Sequence, residues 1–244
     1  MPTAEQSSIL LCVGGHDPSG GAGTQADAEA ARACGVHAAC VITCLTAQDS
    51  CGVAQLWPQS AEQVAEQCRL ILADSRIGAI KVGLLGSSRI VRVLAALAEE
   101  YPDLPLILDP VLAAGTGEPV TDAALLNQMR NNLLGRCTLV TPNLPEAQSL
   151  SGFSKPDDCA RRLLDTGCRW LLITGTHEDR DDVVNRLYGR DGSRREWSWP
   201  RLPGVYHGSG CTLASAIAAR LVKGMEMTDA ISDAQSYTWE TLKH

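Results

Sequence analysis

Near the C-terminus, His207-Gly208-Ser209-Gly210-Cys211-Thr212-Leu213 combines residue types suited to holding an anion. Two glycines flank a serine, and glycine lets a backbone pass close to a ligand. A cysteine and a threonine then open a run with Ala214, Ile217, Ala218 and Leu221 on one face, which predicts a helix. The unpaired N–H groups and the dipole of a helix start favour negative charge. A thiol placed there is expected to lose its proton more readily than a free one, so Cys211 is a candidate base or nucleophile. The competing reading is a tight turn before an ordinary buried helix, with Cys211 as a small apolar filler. Taken alone, the stretch does not separate the two.

Further candidates lie upstream. The loop from Gly15 to Gly23 carries four glycines around Asp17-Pro18-Ser19. Its glycine spacing fails the dinucleotide fingerprint and it lacks the lysine of a P-loop, which leaves a substrate loop or a structural turn. Asp27, one turn into the next expected helix, could reach a substrate amine or help a cap. Asp109 at a strand end and Glu146 in Thr141-Pro142-Asn143-Leu144-Pro145-Glu146 make an acidic pair for magnesium (Mg2+), which takes few carboxylates and keeps waters. Against that, an acid is favoured at any helix start, and on spacing alone this plainer reading of Glu146 is the stronger.

These residues need a scaffold, and apolar periodicity supplies one. Strands are expected at 8–14, 37–45, 77–82, 104–108, 137–141 and 170–174, with a hairpin at 183–188 and 196–199. Thr46-Ala47-Gln48-Asp49 reads as a polar turn. Helices are expected at 24–33, 61–73, 89–100, 122–134, 157–166, 211–222 and 228–242, with one more before Phe153. Such alternation means an α/β fold of one domain over 1–244, its mostly parallel sheet covered on both faces. Ligands of such sheets lie beyond the carboxyl ends of the strands. The polar residues there are Asp17, Gln48, Lys81-Val82-Gly83, Asp109, Asn143 with Glu146, Thr174-Gly175 and the 207–211 loop.

Composition narrows the partners. A net charge of −7 over 244 residues argues against nucleic acid or an anionic membrane. The ten cysteines sit mostly in apolar runs without CxxC pairing, so all but Cys211 read as core residues of a cytoplasmic protein. The first residues show no signal-peptide pattern, and no apolar run is long enough to span a bilayer.

Six motifs occur in one order: Val13-Gly-Gly-His-Asp-Pro-Ser-Gly-Gly-Ala-Gly-Thr-Gln-Ala-Asp27, Val41-Ile-Thr-Cys-Leu-Thr-Ala-Gln-Asp49, Lys81-Val-Gly-Leu-Leu85, Leu108-Asp-Pro-Val111, Thr141-Pro-Asn-Leu-Pro-Glu-Ala147 and His207-Gly-Ser-Gly-Cys-Thr-Leu213. Together they closely resemble the hydroxymethylpyrimidine/phosphomethylpyrimidine kinases of thiamine biosynthesis, in the ribokinase-like superfamily. The resemblance implies a three-layer αβα sandwich and ATP-dependent phosphorylation of 4-amino-5-hydroxymethyl-2-methylpyrimidine, then of its monophosphate. It implies that Gly15, Ala22, Asp27, Thr46, Gln48 and Leu84 line the pyrimidine pocket. An amide such as Gln48 offers both a donor and an acceptor to an aminopyrimidine edge. Asn143, Thr174, Gly175 and His207 are implied on the nucleotide side, with Asp109 and Glu146 for magnesium. Gly208, Ser209, Gly210 and Cys211 take the family's anion hole, Cys211 standing where other ribokinase-like enzymes commonly carry aspartate. Relatives are often homodimers, and Val183, Leu187, Trp197 and Trp199 of the hairpin could cover a partner or the core.

The chain also departs from the pattern. The family usually has Lys-Gly-Gly-His after the strand at 170–173, and here Thr174-Gly175-Thr176-His177 lacks that cation. Ser209 replaces a threonine, and Arg201-Leu-Pro-Gly204 is altered. Pyridoxal kinases share much of the pattern, so a pyridoxal kinase or dual-specificity enzyme is the nearest alternative. A weakly catalytic pyrimidine-binding protein is a further one, motivated by Thr174.

Overall fold

The computed structural model describes residues 8–49, 52–113, 120–204 and 206–243. Among them, nine strands form one sheet in the order β3-β2-β1-β4-β5-β6-β7-β8-β9. The strands are β1 (Ile9–His16), β2 (Ala38–Gln48), β3 (Val53–Pro58), β4 (Ile77–Val82), β5 (Leu106–Leu108), β6 (Leu139–Val140), β7 (Trp170–Ile173), β8 (Asp182–Gly189) and β9 (Arg194–Pro200). Pairing is parallel from β2 through β7, and antiparallel at both flanks, where β3 joins β2 and β8 and β9 follow β7.

The helices are α1 (Gly23–Ala33), α2 (Ala61–Asp74), α3 (Ser88–Glu100), α4 (Ala123–Gln128), α5 (Leu144–Ser151), α6 (Pro156–Leu164), α7 (Ser209–Val222) and α8 (Met227–Thr241). They cover both faces of the sheet. Leu11, Val13, Ile80, Val82 and Leu108 pack with Val64, Ile90, Leu94, Leu150 and Leu163 of α2, α3, α5 and α6. The alternate residues Leu10, Cys12, Ala79, Ile107 and Leu172 pack with Ala31, Ala214, Ile217, Ala218 and Ile231 of α1, α7 and α8. Strands buried on both sides must read as continuous apolar runs, which is why their sequence shows little alternation. The result is the expected three-layer αβα sandwich.

Two elements differ from expectation. β2 continues through Thr46 to Gln48, and β3 pairs back on it, Leu45 opposite Trp57 and Thr46 opposite Leu56. Thr46, Ala47 and Gln48 therefore belong to the strand rather than to a turn, and the Asp49 N–H donates to the Gly52 carbonyl just beyond it. No residue of β3 is fully buried, so it carries no core pattern to read. The helix expected at 122–134 is α-helical only to Gln128, then turns π-helical over Met129–Leu133 and 3-10 over Leu134–Arg136.

The cysteines also need correction. Six of the nine described are buried, but Cys34, at the end of α1, and Cys211, at the cleft, are half-buried, and Cys40 on β2 is exposed. Cys51 lies outside the described residues. No described helix is long and apolar enough to cross a membrane.

Candidate active site

A cleft of about 1290 Å³ runs along the carboxyl ends of β1, β2, β4, β5, β6 and β7. Every expected site residue lines it except Gly175. That glycine is buried, its N–H donates to Asn185 Oδ1 at 3.0 Å, and a Cβ there would strike the Val184 carbonyl. Its role is close packing of two strands. Thr174 does face the cleft, its N–H bonded to the Pro142 carbonyl.

At one end, Gly208 adopts φ +76° as the cap of α7, a conformation that favours glycine. A Cβ on it would collide with the Gly21 carbonyl, so the turn is seated directly on the 20–23 loop. The first amides of α7, at Ser209, Gly210 and Cys211, have no partner within the helix by construction. Gly210 lies beneath Asp109, 3.7 Å from Oδ1 to the position a Cβ would take. The sulfur of Cys211 faces this space rather than packed hydrocarbon, interacting with Asp109 and with the Gly23 amide. Its proton is held more tightly than expected at a helix start. Burial of the sulfur pushes the thiol up; Lys81 pulls the other way, while Asp109 and Asp27 push it further up. The nearby carboxylates and lost hydration outweigh the helix dipole.

Asp109 is itself buried, and burial raises its pKa against the pull of Lys81. Its Oδ2 is a buried acceptor without a hydrogen-bond partner. Glu146 lies nearby and satisfies both of its readings. It closes a capping box on α5, accepting the Asn143 N–H at 2.9 Å while Asn143 Oδ1 accepts the Glu146 N–H at 2.9 Å. Its other oxygen accepts from the Leu112 N–H at 3.3 Å. Burial and then the charge of Asp109 push its pKa up to about 8. Two carboxylates that raise each other's cost, one with an orphaned oxygen, fit a divalent cation that brings its own waters. Among the described residues no cluster of three or more His, Cys, Asp or Glu side chains forms a metal site.

Close to α7 lies Asp27, fully buried. Its Oδ1 accepts from Lys81 Nζ at 2.6 Å and Ser215 Oγ at 2.7 Å. Its Oδ2 is buried and unpartnered, beside Gly14. The capping alternative fails, since α1 starts without a side-chain cap. Gly15 admits Leu84 and Cys44, either of which would lie within about 3.1 Å of a Cβ. Thr46 Oγ1 donates to the His16 carbonyl and so ties β2 to β1. His207 sits beside the pyrimidine-side residues: its Nε2 is 2.9 Å from Asp17 Oδ2 and 3.4 Å from Gln48 Nε2. Asp17 also accepts from the Ser19 N–H, Ser19 Oγ and the Ala22 N–H.

Sequence reasoning left two features unassigned. Lys81, fully buried, lies between Asp27 and Asp109, with Nζ 3.9 Å from Asp109 Oδ2. Burial alone would strip its proton, but Asp27, Cys211 and Asp109 keep the ammonium charged. Its signal was a lysine inside an otherwise apolar parallel strand. The second is Arg201, whose guanidinium donates to the carbonyls of Thr176, Glu178 and Arg180 at 2.7 to 2.9 Å. Both segments line the cleft beside Thr174.

The family model described as phosphomethylpyrimidine kinase matches residues 17–244. The chain belongs to that family. It is 38% identical over 236 residues to the hydroxymethylpyrimidine/phosphomethylpyrimidine kinase of Streptomyces coelicolor, covering 94% of this chain and 86% of that one. The crystal structure of phosphomethylpyrimidine kinase from Clostridium difficile 630 matches with a TM-score of 0.84 at 28% identity, over 96% of this chain and 99% of the other. Pyridoxal kinase from Staphylococcus aureus, in complex with AMP-PCP and pyridoxal, matches with a TM-score of 0.83 at 26% identity, over 95% and 86% of the two chains. This kinase family therefore shares its fold with pyridoxal kinases.

Proposed function

We propose that the protein, as one kinase domain, uses ATP to phosphorylate the hydroxymethyl group of 4-amino-5-hydroxymethyl-2-methylpyrimidine and then phosphorylates the monophosphate, in thiamine biosynthesis. The observation that carries this reading is the buried Asp27 Oδ2, which lacks a hydrogen-bond partner among the described residues and belongs to the same cleft as the N-terminus of α7. An acceptor of that kind calls for a donor, which the amine of the aminopyrimidine supplies and for which pyridoxal offers only hydroxyls. Gln48 supplies the complementary amide, with Gly15, Ala22, Thr46 and Leu84 closing the pocket.

Phosphoryl transfer is mostly positioning and charge stabilisation. The amides of Ser209, Gly210 and Cys211 are the donors aimed at the transferring group. Asp109 and Glu146 would hold magnesium, which neutralises phosphate charge when bound. Asn143, Thr174 and His207 border the rest of the cleft. In the first step the alcohol must lose a proton, and Cys211 could receive it only as the thiolate, its own proton having gone to solvent. Its raised pKa means that it can do so only once positive charge offsets Asp109 and Asp27. In the second step the attacking phosphate is already ionised, so the thiol matters less.

The similarity to pyridoxal kinases keeps pyridoxal phosphorylation as the second reading. Incubation with ATP, magnesium and each alcohol in turn, followed by product identification, tests both. Turnover of pyridoxal with none of the pyrimidine would overturn the first. Binding of the pyrimidine without ATP consumption would favour the weakly catalytic alternative. A cytoplasmic homodimer completes the proposal, and sedimentation at twice the chain mass would support it. The hairpin residues do not speak for that dimer: Leu187 and Trp197 pack on the core, and Trp199 stacks on Trp239 of α8.

A further inference from the structure

We propose that Lys81 is the positioning residue that couples two neighbouring buried carboxylates of the site, holding Asp27 and Asp109 at a fixed separation. This inference rests on the reading of Asp27 as the amine acceptor and Asp109 as a metal ligand. Nζ is fully enclosed, 2.6 Å from Asp27 Oδ1 and 3.9 Å from Asp109 Oδ2. Gly83 makes the room: a Cβ there would come within 3.0 Å of Nζ. One ammonium facing two buried carboxylates leaves the cluster one negative charge in excess, with one oxygen on each carboxylate unpartnered. Those two oxygens point to separate demands, a neutral donor at Asp27 and a cation at Asp109. Lys81 aims both.

Each carboxylate is otherwise weakly anchored. Among the described residues, Asp27 has only Ser215 Oγ besides the ammonium, and Asp109 has only the Cys211 thiol. A buried carboxylate deprived of its cation protonates or moves, and in either case loses the acceptor geometry its ligand needs. Lys81 touches neither substrate nor nucleotide in this account. Its effect must therefore divide into a binding part, transmitted through Asp27, and a turnover part, transmitted through Asp109.

A double-mutant cycle of Lys81→Met and Asp27→Asn separates these parts. The readouts are calorimetric titration of the aminopyrimidine into metal-free, nucleotide-free protein, kcat at saturating substrate, and a thermal melt of each variant. Lys81→Met alone should weaken pyrimidine binding at least about tenfold, as expected for loss of a charged hydrogen bond. On the Asp27→Asn background the same change should leave affinity within about twofold, the usual limit of additivity error. It should still lower kcat by at least about tenfold through Asp109. An affinity loss undiminished on that background, or an unchanged kcat, would overturn the proposal. If Lys81→Met alone does not fold, Asp27→Asn against the double variant decides it, since position 27 then carries no charge. Wild-type protein that turns over only pyridoxal would sink the substrate reading separately, and the same cycle is then read with pyridoxal.

Discussion

Asp17 receives hydrogen bonds from Ser19, Ala22 and His207. Burial raises its pKa, but the bonds from Ser19, His207 and Gln48 win and lower it from 3.8 to about 2. A carboxyl depressed on folding stabilises the protein above its ordinary pKa, and that contribution is lost as pH falls from about 4 through about 2. Asp17→Asn should therefore cost about 1–2 kcal/mol at neutral pH and flatten the acid limb of stability in that window. Urea melts at a series of pH values check this; an unchanged acid limb would count against it. Cys211 gives a kinetic prediction. Cys211→Ala should slow phosphorylation of the alcohol far more than that of the monophosphate, measured in parallel single-substrate assays. Equal losses would mean that the thiol only fills space. Residue types announced the site here, yet not its protonation: the dipole that suggested an acidic thiol is local, whereas the carboxylates that oppose it arrive from β5 and α1.

The capping box of α5 shows how one element serves folding and chemistry together. Asn143→Ala removes a helix cap worth about 1 kcal/mol and should lower the melting temperature by about 2–4 °C. The variant keeps the backbone N–H that the Glu146 carboxylate accepts, so the magnesium concentration needed for half-maximal activity should hardly change. A stability loss without any change in metal requirement would separate the two roles. Gly208→Ala is the harsher change, because φ +76° disfavours a side chain and the Gly21 carbonyl blocks it. Activity should fall by more than about tenfold while the core stays folded, a local strain of roughly 1–3 kcal/mol. Glycine-flanked turns and cap residues were readable in the sequence because their physics is local. β3 was not, since its pairing with β2 depends on partners rather than on burial. The π-helical turn after α4 was equally silent, its apolar spacing matching an ordinary helix.

Across the whole molecule, the parallel order from β2 to β7 gathers residues that lie far apart in the chain at one rim. Apolar runs of consistent length made that legible, and so the positions of Asp27, Gln48, Asp109 and Glu146 could be placed before any coordinates. The ion pairing between them could not, because nothing in the spacing of Asp27, Lys81 and Asp109 says which side chains meet inside the sheet. Chelation of divalent metal should abolish turnover and spare pyrimidine binding by calorimetry, since neither Asp27 nor Gln48 is among the proposed metal ligands. Arg201 adds a mechanical consequence. By spending its fork on three carbonyls of the 176–180 segment, it stitches the two chain segments that border the cleft beside Thr174 into one unit. Were nucleotide to leave past Thr174, as the proposed function has it, the two segments would have to give way together rather than one at a time. Unpicking that seam with Arg201→Ala should speed ADP departure in a stopped-flow trace.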